Sequence, residues 1–551
     1  MTLLCIRNGT IYDPANGVDG EIRDLWIREG KIVPPPDDPL TIPDRVIDAS
    51  GLVVMPGGVD MHAHIAGPKV NFARKMRPED RRGNPFRRSE LLRSGTVGST
   101  PSTFVTGYLY AGMGYTTVFD AAIPPLAARH AHEEFHDTPI IDKGFFVLIG
   151  NNHFALDRIA AGEHERLRNF AAWLLHVTRG YALKVVNPGG VEVWKSGGSS
   201  HSTGLDSVVP HFNVTPRQII TSIAQVANEL RLPHPMHIHC NQLGLPGNWT
   251  TTLETMKALE GRRAHFTHIQ FHSYGGTLDD QSAFCSQVPV LAEYVNSHRN
   301  LTVDVGQVMF GETTSMTGDG PLGYYLHRVT GQKWFNADVE CEAGCGIVPI
   351  TYKDKSFVHA LQWAIGLEWY LLVNDPWQVA MSTDHPNGGA FLAYPEIIQL
   401  LMDRDYRREL LGRLPAKMRE RCTLADLDRQ YTLSEIAIIT RAGPARMLGL
   451  KHKGHLGLDA DADITIYTRG ADIKAMFELP RYVLKAGEVI VEQGEIRQVT
   501  FGPILHVEPG YDPDTLGDLR KWFADAYTID FANYPVGDEY LTHGAVRVGC
   551  E

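Results

Sequence analysis

His62 and His64, one residue apart in VVMPGGVDMHAHIAG, are the first side chains along this sequence whose spacing suits a chemical task. In extended backbone alternate residues share a face, so both imidazoles point one way while Met61, Ala63 and Ile65 point the other. Two imidazoles aimed at one spot suit a metal ion. Further along, GYALKVVNP places Lys184 inside an apolar run, where a charged ammonium is costly and burial depresses its pKa. A neutral amine there takes up carbon dioxide and becomes a carbamate, which turns a cation into an anionic ligand. The ordinary alternative is a lysine that snorkels out of the strand end. PMHIHCN then offers His237 and His239, AHFTHIQFHSYGG offers His265, His268 and His272, and STDHP supplies the carboxylate of Asp384.

These residues need elements that bring them together. Eight short apolar runs follow in order: VVMPGGVDMHAH, GYTTVFDA, GFFVLIGNN, GYALKVVNP, PMHIHCN, AHFTHIQF, NLTVDVGQ and WQVAMSTDHP. Amphipathic stretches such as PRQIITSIAQVANELR and FVHALQWAIGLEWYLL separate some of them. Eight β-α units predict an α/β fold, a (β/α)8 TIM barrel over residues 57–449, with its chemistry at the C-terminal strand ends. The histidine nearest each strand's end is then favoured, which points to His239 and His268, with His237 on the same strand the open alternative to His239. His237, His272 and Asn241 become candidates to support the ligands from behind, or plain core residues. The candidate ligand set is His62, His64, carbamylated Lys184, His239, His268 and Asp384. Such ligands suit zinc, and they are too many for one tetrahedral ion but enough for two. The carbamate, Asp384 and a hydroxide largely cancel the ions' charge. Both chain ends are strand-like with turn residues at the breaks, which predicts one small β-sandwich from residues 1–56 and 450–505, followed by a C-terminal extension over 506–551. The extension mixes aromatics with acids and reads either as a docking tail or as a wrap on the chain's own surface.

The balance of 52 basic and 64 acidic residues, a net charge of -12, lacks a basic footprint and speaks against nucleic-acid binding. The N-terminus lacks a basic flank followed by an apolar stretch, and no run is long enough to span a bilayer, so a cytoplasmic protein without membrane contact is expected. The odd set of seven cysteines reads as reduced thiols, the Cys341/Cys345 pair included. Between the first two strands lies an insertion with Arg74, Arg77, Arg81, Arg82, Arg87, Arg88 and Arg93. Loops in that place overlie a barrel's site, so Arg74 and Arg77 are candidates to bind the anionic tail of a substrate, with a solvated or subunit-facing loop as the equal alternative. The segment 311–355 is expected to follow strand seven and to form a lid or a subunit contact.

GGVDMHAH, the strand-four lysine, the strand-end histidines, STDHP and the closing GPARMLGLKHKGHLGLDADADITIY resemble the metal-dependent amidohydrolase superfamily of hydantoinases and dihydroorotases. HAHIAGPKVNFARK, LKVVNPGG, HIQFHSYGGT and STDHPNGGAFLAYP are more similar to the A subunits of formylmethanofuran dehydrogenase and of the related bacterial formyltransferase/hydrolase complex. The arginine-rich composition leans to the bacterial version. The resemblance implies two zinc ions with N6-carboxylysine at Lys184, and metal roles for His62, His64, Lys184, His239, His268 and Asp384, with Asp384 also the proton shuttle. It implies methanofuran or methofuran as the carrier substrate, N-formyl amine hydrolysis as the activity, and, as partners, the other subunits of a formyltransferase/hydrolase or formylmethanofuran dehydrogenase complex, a formyltransferase subunit among them. A cyclic-amide hydrolase and a scaffold that has lost its metals are the competing expectations.

Overall fold

The computed structural model describes residues 2–550 except 39 and 338–344. Cys341 lies outside the described residues; Cys345 is a buried free thiol. The eight apolar runs become eight barrel strands: Gly58–Ala63, Tyr115–Ile123, Asp142–Leu148, Ala182–Val186, Met236–His239, Ala264–Phe266, Leu301–Asp304 and Val379–Ala380. Each pairs in parallel with the next, and a parallel bridge between Ala63 and His385 brings the first strand back to the end of the last. Strands covered on both faces carry near-continuous apolar runs, which is why they stand out in the sequence. The connecting helices begin at local start signals. Thr215 and Gln218 form a capping box at Pro216–Glu229, and Ser356 caps Phe357–Leu372.

Both chain ends build a separate nine-stranded sheet. Leu52–Pro56 runs antiparallel to Ile464–Thr468 and joins the N-terminal strands to the C-terminal ones around their own hydrophobic cluster. A buried charge cluster ties this sheet to the barrel: Lys485 Nζ lies 2.7 Å from both Asp142 Oδ2 and Asp463 Oδ2, and Lys453 Nζ lies 3.1 Å from Asp463 Oδ2.

The end of the chain differs from expectation. Ile504–Val507 crosses the expected boundary at 505 and pairs with the third barrel strand, and Ala545–Val548 pairs with it in turn. Between these, Phe523, Phe531 and Tyr534 surround Trp173 at ring separations of 6.0, 5.2 and 6.1 Å, and Val536 N donates to Val177 O. Aromatic burial makes this segment a wrap on its own barrel. Among the described residues no helix is long and apolar enough to cross a membrane.

Candidate functional site

His62, His64 and Asp384 meet at the barrel mouth. Asp384 Oδ1 lies 3.0 Å from His62 Nε2 and 3.0 Å from His64 Nε2, and all three side chains are buried. Asp384 sits at φ 51°, a backbone region that costs an L-residue energy and is tolerated where the surroundings over-determine it. Asn387 is the clamp: its Nδ2 donates to Asp384 Oδ1 at 2.9 Å and its Oδ1 accepts from Met316 N at 2.6 Å. Burial alone would push the Asp384 carboxyl up, but His62 and His268 hold it well below the usual range, so it stands as an anion.

His62 is gripped from the other side by Asp304, at the end of the seventh strand. His62 Nδ1 and His265 Nε2 lie 3.0 and 3.1 Å from Asp304 Oδ2, while His268 N and Ser382 Oγ donate to Oδ1 at 3.1 and 2.5 Å. Burial opposes charge on His62, yet the Asp304 and Asp384 carboxylates outweigh it and raise its pKa to about 9. His64 has a looser neighbour in Asp120, whose Oδ1 is 3.7 Å from His64 Nδ1 and 2.7 Å from Lys69 Nζ.

Lys184 Nζ is buried on the fourth strand without a hydrogen-bond partner, and burial lowers its pKa to about 7 against the pull of Asp304 and Asp384. The rings of His239, His268 and His272 cluster together, with centroids 4.8 to 5.4 Å apart. His239 Nε2, His268 Nδ1 and both ring nitrogens of His272 lack hydrogen-bond partners. Gly306 makes room for His268: it has φ +67°, and a Cβ there would fall 2.4 Å from the His268 Cβ.

His237 lies deeper than His239. Its Nε2 is 3.3 Å from His62 Nδ1 and its Nδ1 is 2.9 Å from His234 Nε2, while His234 Nδ1 donates to Met447 O at 2.8 Å. A carbonyl only accepts, so the neutral imidazoles of His234 and His237 carry their proton on Nδ1, and His237 Nε2 accepts from His62 Nδ1. His62 Nε2 is thereby turned toward Asp384, where a bound cation would take the place of its proton. Asn241 is also held behind the mouth, donating to Asn187 Oδ1 at 3.0 Å and to Pro188 O at 2.9 Å.

A cavity of about 260 Å³ opens over His239, His268 and Asp384. Its walls are mostly apolar, with Leu243, Phe271, Leu322, Tyr325, Leu326 and Tyr352 among them. The segment after strand seven supplies one wall: Gly311–Thr317 pairs with Cys345–Tyr352, and the helix Gly320–Thr330 stands beside them.

Arg74 and Arg77 are not brought to this cavity. Arg74 donates to Pro101 O at 2.8 Å and to Glu134 Oε2 at 3.3 Å, while Arg77 bonds Asp80, Thr313 O and Glu312. The Arg77 guanidinium is spent on internal partners, and Arg74 pairs through Nε and Nη1 while its buried Nη2 has no hydrogen-bond partner. Arg81, Arg82, Arg87, Arg88 and Arg93 are exposed on the same insertion. Sequence reasoning missed Asp304, Asp120, His234 and Asn387. For the first two a signal existed, a lone carboxylate near the end of an apolar strand in LTVDV and TTVFDA.

The profile of the amidohydrolase family matches residues 45–491. The chain belongs to this family. It is 47% identical to Protein FwdA of Methanocaldococcus jannaschii, with 97% of each chain covered. It is 37% identical to the A-type component of the formyltransferase/hydrolase complex Fhc of Methylorubrum extorquens, covering 97% of this chain and 96% of that one. The higher identity is thus not to the Methylorubrum protein, toward which the arginine-rich composition leans. Among solved structures, the FhcABCD complex from Methylorubrum extorquens with methylofuran superposes with a TM-score of 0.93 at 36% identity over the whole of both chains. An N-acyl-D-glutamate deacylase from Bordetella bronchiseptica, at 14% identity and a TM-score of 0.52, shares the fold.

The donor set fits metal ions. His62, His64 and Asp384 place one ligand atom each within 4.8 Å of one another, and the unpartnered buried nitrogens of Lys184, His239, His268 and His272 need a counterpart that no protein group supplies.

Proposed function

We propose that this chain hydrolyses an N-formyl amine, formylmethanofuran or a methofuran analogue, to formate and the free amine, as one subunit of a multisubunit one-carbon complex with a formyltransferase among its partners. The observation that carries the reading is the Asp384 oxygen 3.0 Å from two strand-one histidines at the floor of an apolar cavity. The nearly full-length similarity to a component of a hydrolase complex supports it. In this reading His62, His64 and Asp384 would hold one zinc ion, and His239, His268 and Lys184 as N6-carboxylysine would supply the remaining metal ligands. Bound divalent ions supply Lewis-acid polarisation of the formyl oxygen and make water acidic enough to attack at neutral pH.

The chain's own residues do the rest. Asp384 accepts a proton from the attacking water and hands it to the amide nitrogen as the C–N bond breaks, so water's oxygen ends in formate and its proton on the amine. Asp304 and His237 keep His62 in the tautomer that presents Nε2. The apolar walls exclude bulk water and receive the part of the carrier next to the amide.

The test is formate release from formylmethanofuran by the purified chain or its native complex, with Asp384→Asn in parallel. Release that depends on a divalent ion and falls about 10²- to 10⁴-fold in the variant is expected. A variant near the normal rate would remove Asp384 from the reaction. Turnover of dihydroorotate or a hydantoin with none of formylmethanofuran would replace the substrate.

A further inference from the structure

The cavity wall contributed by Gly320–Thr330 begins at a carboxylate that lies outside the set at the strand ends. Asp319 is buried, and its two oxygens face different ways. Oδ1 accepts from Leu322 N at 3.3 Å, capping the helix, and from Asn187 Nδ2 at 3.1 Å. Asn187, just past the fourth strand, in turn accepts from Asn241 beyond the fifth. The carboxylate is therefore braced against two strand ends at once.

Its Oδ2 lies 3.3 Å from His239 Nε2, close enough to pull on the imidazole's charge but without good hydrogen-bond geometry. A nitrogen and a carboxylate oxygen at this separation are also placed to bind one ion between them. With bonds of about 2.0–2.1 Å, tetrahedral geometry sets neighbouring ligand atoms about 3.3 Å apart. His62 and His64 stand in a similar relation to Asp384, at 3.0 Å each.

We propose that Asp319 is a ligand of the metal centre, binding the same divalent ion as His239, and that it couples metal occupancy to the cavity wall that starts at the next residue. This rests on the metal-centre reading above. Leu322, Tyr325 and Leu326 line the cavity from the helix that Asp319 caps. An ion that pulls on Oδ2 therefore fixes the helix start, and with it the wall that meets the substrate.

Asp319→Asn keeps the cap, since asparagine caps as well as aspartate, and removes the anionic ligand. Asp319→Ser keeps a cap and lacks the reach. The full chain and both variants are titrated with zinc against a chromophoric chelator, and metal content is measured after dialysis. Hydrogen exchange of residues 320–330 is followed with and without zinc. The expected result is two ions on the unaltered chain, with one of them weakened about ten-fold or more in both variants. Zinc should slow exchange in the helix of the unaltered chain and not in that of the variants. Two ions at unchanged affinity in the variants would overturn the proposal while leaving the metal centre intact. An unaltered chain that binds no divalent ion would overturn both.

Discussion

Replacing Asp304 by asparagine removes a buried anion that four donors share. His62 Nδ1 and His265 Nε2 meet one oxygen, and Ser382 Oγ and His268 N meet the other. An amide keeps one acceptor oxygen, so whichever way it turns, two donors lose their partner and face an NH2 group instead. A hydrogen bond to a charged group contributes about 1.5–3 kcal/mol, so the pair costs about 3–6 kcal/mol. Unfolding entropy of about 2.1 cal/mol/K per residue over this chain converts that into a thermal midpoint lower by about 3–5 °C. The same change takes away one of the two carboxylates that raise His62, so zinc affinity should fall about 10- to 100-fold. Calorimetry of the metal-free protein reads the first effect and competitive zinc titration reads the second. A metal-free midpoint within about 1 °C of the unaltered protein, with unchanged zinc affinity, would refute the idea that Asp304 anchors the site.

Gly306→Ala should lower stability by about 1–3 kcal/mol and release zinc, because the new methyl meets His268 and the backbone stays left-handed; denaturant midpoints and metal content check it. Burial opposes the Asp463 carboxylate, but Lys453 and Lys485 hold its pKa below the usual value. The unfolded chain therefore binds more protons than the folded one once pH falls below about 4, and the stabilisation present above that pH is progressively lost in acid. Urea midpoints should drop across that window, and Asp463→Asn should be less stable at neutral pH with a flatter acid limb. Arg77→Ala should lower thermal stability by about 1–3 kcal/mol and leave the Michaelis constant unchanged, since its guanidinium bonds Asp80 and Thr313 O inside the chain. A raised Michaelis constant with normal stability would support the tail-binding role instead.

Much of the site is legible without coordinates because strand periodicity is local. His62 and His64 share a face whatever surrounds them, and STDHP announces a carboxylate at a strand end. The eight barrel strands are visible for a similar reason: burial on both faces writes itself into an unbroken apolar run. The closing segment is less transparent. Aromatics and acids in 506–551 suit a docking tail or a self-wrap equally, and only the packing of Phe523, Phe531 and Tyr534 around Trp173 separates them.

The residue types of the centre, its barrel scaffold and the pairing of the chain's two ends were determined by the sequence itself, since each follows from a short pattern and its period. Depth and partnership were decided by the tertiary structure. His237 and His239 have the same local signature, yet one bonds His62 below the mouth and the other lines the cavity, a difference set by where the barrel closes. Asp304 reaches His62 across 242 positions of chain, and Arg77 reaches Glu312 across 235. Composition cannot say whether a charge faces a substrate or a buried partner. That choice belongs to long-range packing, where the cost of an unpaired buried charge selects its neighbour.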